Sequence, residues 1–180
     1  QSKNDPPSLI VFGGDNVMNV DSKEGGERAE AQLAVWKDVL RQECSLPHRT
    51  VIGNHDILNM QPVDGKKWAI DAFGISNRFY DWTESDWHFI VLDSTSPNTV
   101  RGGDGGYKGM LDDLQFEWLE TKLRSIPSRR PVCIVSHIPI LSACAYFDGE
   151  NEKTMDWVIP GSWVHIDARR LKNLFHEHSN

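Results

Sequence analysis

Three apolar runs in this chain each end in a tight polar turn. The turns are Gly13-Gly14-Asp15-Asn16, Gly53-Asn54-His55-Asp56 and Ser136-His137-Ile138-Pro139. Short apolar runs closed by turn residues read as buried strands. Each turn sets a carboxylate, an amide or an imidazole just past a strand's C-terminal end. Strands of one sheet deliver such groups to a common rim, and mixed oxygen and nitrogen donors there suit a hydrolytic metal site. Asp15, Asn54 and His137 are therefore expected to converge.

The chain of 180 residues is long enough for one domain with a real core. With 39 % hydrophobic and 25 % charged residues it should fold rather than stay disordered. A net charge of −7 argues against a non-specific nucleic-acid surface. It leaves a phosphate substrate open, because bound cations supply positive charge locally. No apolar run approaches membrane-spanning length, so no membrane partner is expected. No signal segment is visible in the chain as given. It starts at Gln1 without a methionine, and the compartment is left open. Cys44, Cys133 and Cys144 form neither a disulfide framework nor a zinc ribbon. Cys133, inside an apolar run, reads as an inert buried thiol.

Strands are expected at 8–12, 49–52 and 132–136, with an antiparallel pair at 78–83 and 87–93 turned by Glu84-Ser85-Asp86. Helices are expected at 27–43, 66–73, 112–125 and 166–176. The first has the stripe Ala29, Leu33, Trp36 and Leu40. In the third, Leu111, Leu114 and Trp118 mark the inward face, broadened by Phe116, Leu119 and Leu123. In the last, Leu171, Leu174 and Phe175 point inward. Residues 54–65, 94–110 and 139–162 read as loops, the second glycine-rich around Lys108. Its glycines mark a surface loop or an active-site flap, not a P-loop. Trp157 and Trp163 are candidates to line a cleft. The acidic residues from Asp21 to Glu30 read as a solvated face, and His165, His176 and His178 as solvent-facing. Strands alternating with helices argue an α/β fold, and the adjacent strands at 78–93 argue that its sheets are mixed.

Within the turns, Gly53 lets the backbone fold back sharply at the strand end. An asparagine carbonyl such as that of Asn54 is a neutral hard ligand, suited to a metal that already faces carboxylates. An adjacent imidazole, His55, can hydrogen-bond a phosphoryl oxygen or protonate a leaving alkoxide. Asp15 and His137 are each weak signals alone; together with Asn54 they become ligand candidates.

The three turns, in this order, resemble the second, third and fourth motifs of the calcineurin-like metallophosphoesterases. The stretches Trp87–Asp93 (WHFIVLD) and Leu114–Leu123 (LQFEWLETKL) are similar to the branch with class III cyclic-nucleotide phosphodiesterases, glycerophosphodiesterases and purple acid phosphatases. The resemblance implies a four-layer α/β/β/α sandwich with mixed sheets. It implies that Asp15 bridges two metal ions, that Asn54 and His137 bind the second ion, and that His55 contacts the phosphate and assists the leaving group. A hydroxide held by the two metals then attacks phosphorus in line. Substrates would be small phosphoesters and the ions divalent or of the Fe, Mn or Zn type.

The family's first motif, Asp-x-His, and its fifth, Gly-His-x-His, have no counterpart in the chain. Residues 1–180 are thus expected to be one domain, incomplete at both ends and an internal part of a longer phosphoesterase. It should hold at most one ion weakly and turn over little by itself. The strand at 8–12 is expected to leave an exposed sheet edge through which copies self-associate. The alternative is a non-catalytic binding or regulatory module that keeps the fold without a complete metal site.

Overall fold

Ile10, Val11 and Phe12, β-branched and aromatic residues that favour extended backbone, form the first strand, β1 (Ile10–Phe12), of the computed structural model. The structure describes residues 6–18, 20–21, 25–60, 64–98, 106–143 and 149–178. The chain is mixed α/β and divides into two compact units, Gln1–Tyr80 and Asp81–Asn180.

In the first unit β1 is followed by α1 (Gly25–Glu43) and β2 (His48–Thr50). β1 and β2 pair in parallel, with Ile10 opposite His48 and Phe12 opposite Thr50. Parallel neighbours need a long crossover, which α1 supplies. The stripe expected on α1 is the buried one: Ala29 and Leu33 lie in the core and Trp36 packs against it. The Trp36 ring meets Phe12 edge-on at 5.5 Å and Phe73 at 5.4 Å between centroids. Both strands are shorter than their apolar runs. Pairing starts at Ile10 rather than Ser8, and β2 ends at Thr50, although Val51 and Ile52 remain fully buried. A short 3-10 turn, Leu58–Met60, interrupts the expected loop. Helix α2 (Asp64–Phe73) begins two residues before the expected Lys66 and adds Ala69, Ala72 and Phe73 to the same core.

The outer edge of β2 is closed by a side chain. The Tyr80 hydroxyl donates to the Thr50 carbonyl at 2.9 Å and accepts from the Thr50 N–H at 3.1 Å. Burial raises the Tyr80 pKa above its ordinary value, which keeps the phenol protonated as a donor. Among the described residues β2 is the one strand that pairs with β1.

The second unit is built on β3 (Tyr80–Glu84), β4 (Trp87–Leu92) and β7 (Val132–Ser136), in the order β3-β4-β7. Two residues, Ser85 and Asp86, join β3 to β4, a link only antiparallel neighbours allow. β4 and β7 are parallel, with His88 opposite Val132 and Leu92 opposite Ser136. β4 is therefore central, which explains why Ile90, Val91 and Leu92 are all fully buried. Helix α3 (Asp113–Ser125) starts on Asp112, whose carboxylate accepts the Gln115 N–H at 2.9 Å. Phe116, Leu119 and Leu123 of α3 pack with Ile90 and Leu92, joined by Leu171 and Leu174 of α5 (Ala168–Glu177).

Several expectations are corrected here. Leu114 is 67 % exposed, and the polar neighbour Gln115 is fully buried instead. Its side chain accepts from the Asp93 N–H at 2.8 Å and donates to the Asp93 carbonyl at 2.9 Å, satisfying both groups at the end of β4. Segment 94–110 is not wholly loop: β5 (Thr95–Pro97) and β6 (Tyr107–Gly109) pair antiparallel. Residues 99–105, most of the candidate flap, lie outside the described residues, as does Cys144. A helical turn, α4 (Asn151–Thr154), lies within the expected loop 139–162. Cys133 is half-buried rather than buried. Among the described residues no helix is long and apolar enough to cross a membrane.

Candidate functional site

Because β1 and β2 run parallel, their C-terminal ends emerge side by side, and the first two polar turns meet there. Past Phe12 the backbone takes φ +102° at Gly14 and φ +54° at Asp15. Aspartate tolerates this left-handed conformation better than most residues. Gly53 passes so close to Asp15 that a Cβ would overlap the Asp15 backbone nitrogen and Oδ1, so glycine is required for steric reasons. Asp15 Oδ1 accepts the His55 backbone N–H at 3.0 Å. Asn54, between them in the turn, is 6 % exposed.

A residue without a role in the sequence reading, Asp56, holds these turns together. It is fully buried. Its Oδ2 accepts from the Gly53 N–H at 2.8 Å and from Asn16 Nδ2 at 2.9 Å, and its Oδ1 from the Val17 N–H at 3.0 Å. Asn16 Nδ2 also donates to the Val51 carbonyl at 2.9 Å. One carboxylate thus ties the turn after β1 to the turn after β2. Burial raises the Asp56 pKa above its ordinary value. The bonds from Gly53, Val17 and Asn16 oppose that rise, and the Asp15 charge adds to it. The signal for it in the sequence is the run Gly53-Asn54-His55-Asp56, which it closes.

His55 is partly open, 34 % exposed, and its Nδ1 lies 3.0 Å from Asp21 Oδ2. Asp21 is therefore not part of a solvated face. Its carboxylate lies beside Nδ1, and Nε2 is the ring nitrogen on the far side of the pair. Nothing local marks Asp21, because the pair joins residues 34 positions apart in a row of acidic residues.

In the second unit His137 follows β7 directly and is half-buried. Its turn is held from both sides. The Ser136 hydroxyl donates to the Ile138 carbonyl at 2.7 Å, and the Ile138 N–H donates to Ser94 Oγ, just past β4, at 2.9 Å. His165 corrects the sequence reading: it is 3 % exposed, not solvent-facing. Its Nε2 lies 3.3 Å from Ser136 Oγ and its Nδ1 2.8 Å from Asp167 Oδ1. Asp167 Oδ2 accepts the Leu111 N–H at 3.0 Å. Although burial opposes it, the bonds from His165 and Leu111 bring the Asp167 pKa below its ordinary value.

The first unit brings Asp15, Asn54 and His55 together; His137 belongs to the second. Among the described residues no group of three or more His, Cys, Asp and Glu is arranged to hold an ion. Asp15 brings a carboxylate and the buried Asn54 an amide to adjoining turns, and both are hard oxygen donors by residue type. Two such oxygen donors suit a hard divalent cation.

No protein-family model matches the chain. Over 151 residues it is 23 % identical to a probable glycerophosphodiester phosphodiesterase, GpdQ, of Arcobacter nitrofigilis; the match covers 81 % of this chain and 47 % of that protein. Over 96 residues it is 31 % identical to the 3',5'-cyclic adenosine monophosphate phosphodiesterase CpdA of Escherichia coli K12, covering 53 % of this chain and 30 % of that protein. The chain is similar to phosphodiesterases, and it spans less than half the length of these two relatives.

Proposed function

We propose that this chain carries the central part of a metal-dependent phosphoester hydrolase of the calcineurin-like metallophosphoesterase family, with residues 1–180 belonging to one catalytic domain. The observation that carries the reading is the junction after β1 and β2. There Asp15 accepts the His55 N–H at 3.0 Å, beside the buried Asn54. Similarity to two proteins named as phosphodiesterases supports it and directs the first assays to diesters. Asp15, Asn54 and His137 are the proposed metal ligands. Two bound ions would activate water and offset negative charge building on the phosphoryl oxygens.

The chain's own residues do the rest. Asp15 supplies the anionic oxygen, held in its left-handed turn by the His55 N–H. Asn54 supplies a neutral oxygen that does not add charge to a site facing an anionic substrate. His55, with the Asp21 carboxylate 3.0 Å from its Nδ1, would present Nε2 to a phosphoryl or leaving oxygen and donate a hydrogen bond or a proton there.

The test is hydrolysis of an aryl phosphodiester and of a poor-leaving-group alkyl diester by the complete gene product in the presence of Mn²⁺. Asn54→Ala and His137→Ala are expected to lower metal content and rate together. His55→Ala should lower the rate on the alkyl diester by roughly 10²–10⁴-fold with metal content retained. A protein that binds no metal and hydrolyses neither ester overturns the reading.

A further inference from the structure

The second unit contains a chain of polar side chains that the proposed chemistry does not use: the half-buried Asp167, the buried His165 and the half-buried Ser136. Asp167 Oδ1 is 2.8 Å from His165 Nδ1, and His165 Nε2 is 3.3 Å from Ser136 Oγ. The order is that of a nucleophilic serine triad, so that reading comes first. A triad histidine must take a proton from the serine and hand it to a leaving group, which requires contact with substrate. The His165 side chain is wholly buried, 0 % exposed. The Ser136 hydroxyl is already engaged with the Ile138 carbonyl at 2.7 Å. A ring sealed from substrate cannot serve a leaving group.

What the chain does reach is a turn. Ser136 precedes His137, and its hydroxyl bridges the His165 ring to the Ile138 carbonyl, so it spans the backbone on both sides of His137. The opposite pole of Ile138, its N–H, is fixed by Ser94 Oγ at 2.9 Å. The segment bearing the ring is fixed as well. The His165 N–H donates to the Pro139 carbonyl at 3.0 Å, and Gly109 forms a bridge with His165. A Cβ on Gly109 would stand 2.6 Å from the Ile138 side chain and 3.2 Å from the His165 backbone, so these segments are in close contact. At the far end Asp167 is anchored by the Leu111 N–H at 3.0 Å. A buried imidazole held at both nitrogens has one orientation, and its hydroxyl partner then has one rotamer.

We propose that Asp167, His165 and Ser136 are positioning residues that hold the Ser136–Ile138 turn and so aim His137 as a metal ligand. This rests on the reading of His137 as a ligand. Partners one step removed from a metal typically change affinity or activity by about 10–100-fold when removed.

The test uses the complete gene product with Ser136→Ala, Ser136→Thr, Asp167→Asn and His137→Ala, and two readouts. One is the Mn²⁺ dissociation constant by calorimetry. The other is amide exchange at His137 and Ile138, measured relative to Ile90 and Val91 in the core of β4. Ser136→Ala is expected to weaken Mn²⁺ binding by about 10-fold and speed exchange at Ile138 by about 10-fold, with β4 exchange unchanged. Ser136→Thr, which keeps the hydroxyl, should restore both. Asp167→Asn should move them in the same direction as Ser136→Ala. If Asp167→Asn does not fold, the serine pair decides alone. Wild-type Mn²⁺ affinity in Ser136→Ala, with His137→Ala losing the metal, overturns the positioning role while His137 stays a ligand. Unchanged affinity in His137→Ala overturns the ligand reading, and with it the role in metal binding. Labelling of Ser136 by an organophosphonate would mark it as a nucleophile and also overturn the proposal.

Discussion

The two units each fix a turn with a carboxylate, fully buried in Asp56 and half-buried in Asp167, by different routes. In the first, Asp56 bonds directly to two backbone N–H groups and to the Asn16 amide, all within 3.0 Å. In the second, Asp167 spends one oxygen on the Leu111 N–H and acts on the turn after β7 only through the His165 ring and the Ser136 hydroxyl. The direct clamp places three donors on one desolvated carboxylate, which becomes costly to lose. The relay distributes the work over three side chains, so losing any one of them leaves fewer orphaned groups. A short clamp suits the turns of Asp15 and Asn54, which meet where Asp15 Oδ1 accepts the His55 N–H. A longer relay suits a single imidazole whose aim depends on one turn.

The sharpest way to break this contrast is to remove each carboxylate. Asp56→Ala leaves three buried donors without their acceptor and is expected to cost about 3–5 kcal/mol. Asp167→Ala orphans one N–H and one imidazole nitrogen and should cost about 2–3 kcal/mol. Urea unfolding of the variants checks the order, and equal losses would dissolve the distinction. Gly53→Ala comes next. Its methyl group would overlap the Asp15 backbone, and a loss of about 2–3 kcal/mol is expected, with Asp15 displaced from the His55 N–H. A crystal structure with Asp15 unmoved would contradict it.

Proton linkage separates the units by sign. The Asp167 pKa is lowered on folding, so its contribution is present above the unfolded value and lost as pH falls through the folded one. The Asp56 pKa is raised, so its contribution is present below the unfolded value and lost as pH rises through the folded one. In metal-free protein, Asp167→Asn should flatten the acid limb of the stability profile and Asp56→Asn should steepen it. Denaturant midpoints measured across the carboxylate range would read this, and slopes of the same sign would count against it. The smallest effect belongs to the corrected face of α3. Leu114→Ser, at a position 67 % exposed, should change stability by no more than about 0.5 kcal/mol, whereas Phe116→Ala should cost about 3–5 kcal/mol.

The sequence by itself determined the α/β alternation, the stripe on α1, the two adjacent strands β3 and β4 and the placing of Asp15 and the Asn54-His55 turn at strand ends. Those features follow from local periodicity and from glycines at strand ends, and parallel pairing of β1 with β2 then leaves the turns nowhere else to go. Only the tertiary structure decided which polar residues are buried. Nothing in the sequence marks Asp56, beyond the motif that it closes, or Gln115 and His165 as buried. Each is buried because its partners arrive from far along the chain, Asn16 and Val17 for the first, Asp93 for the second and Ser136 for the third. Burying such a group is unfavourable until those bonds exist, and the bonds exist only once the strands and helices have packed.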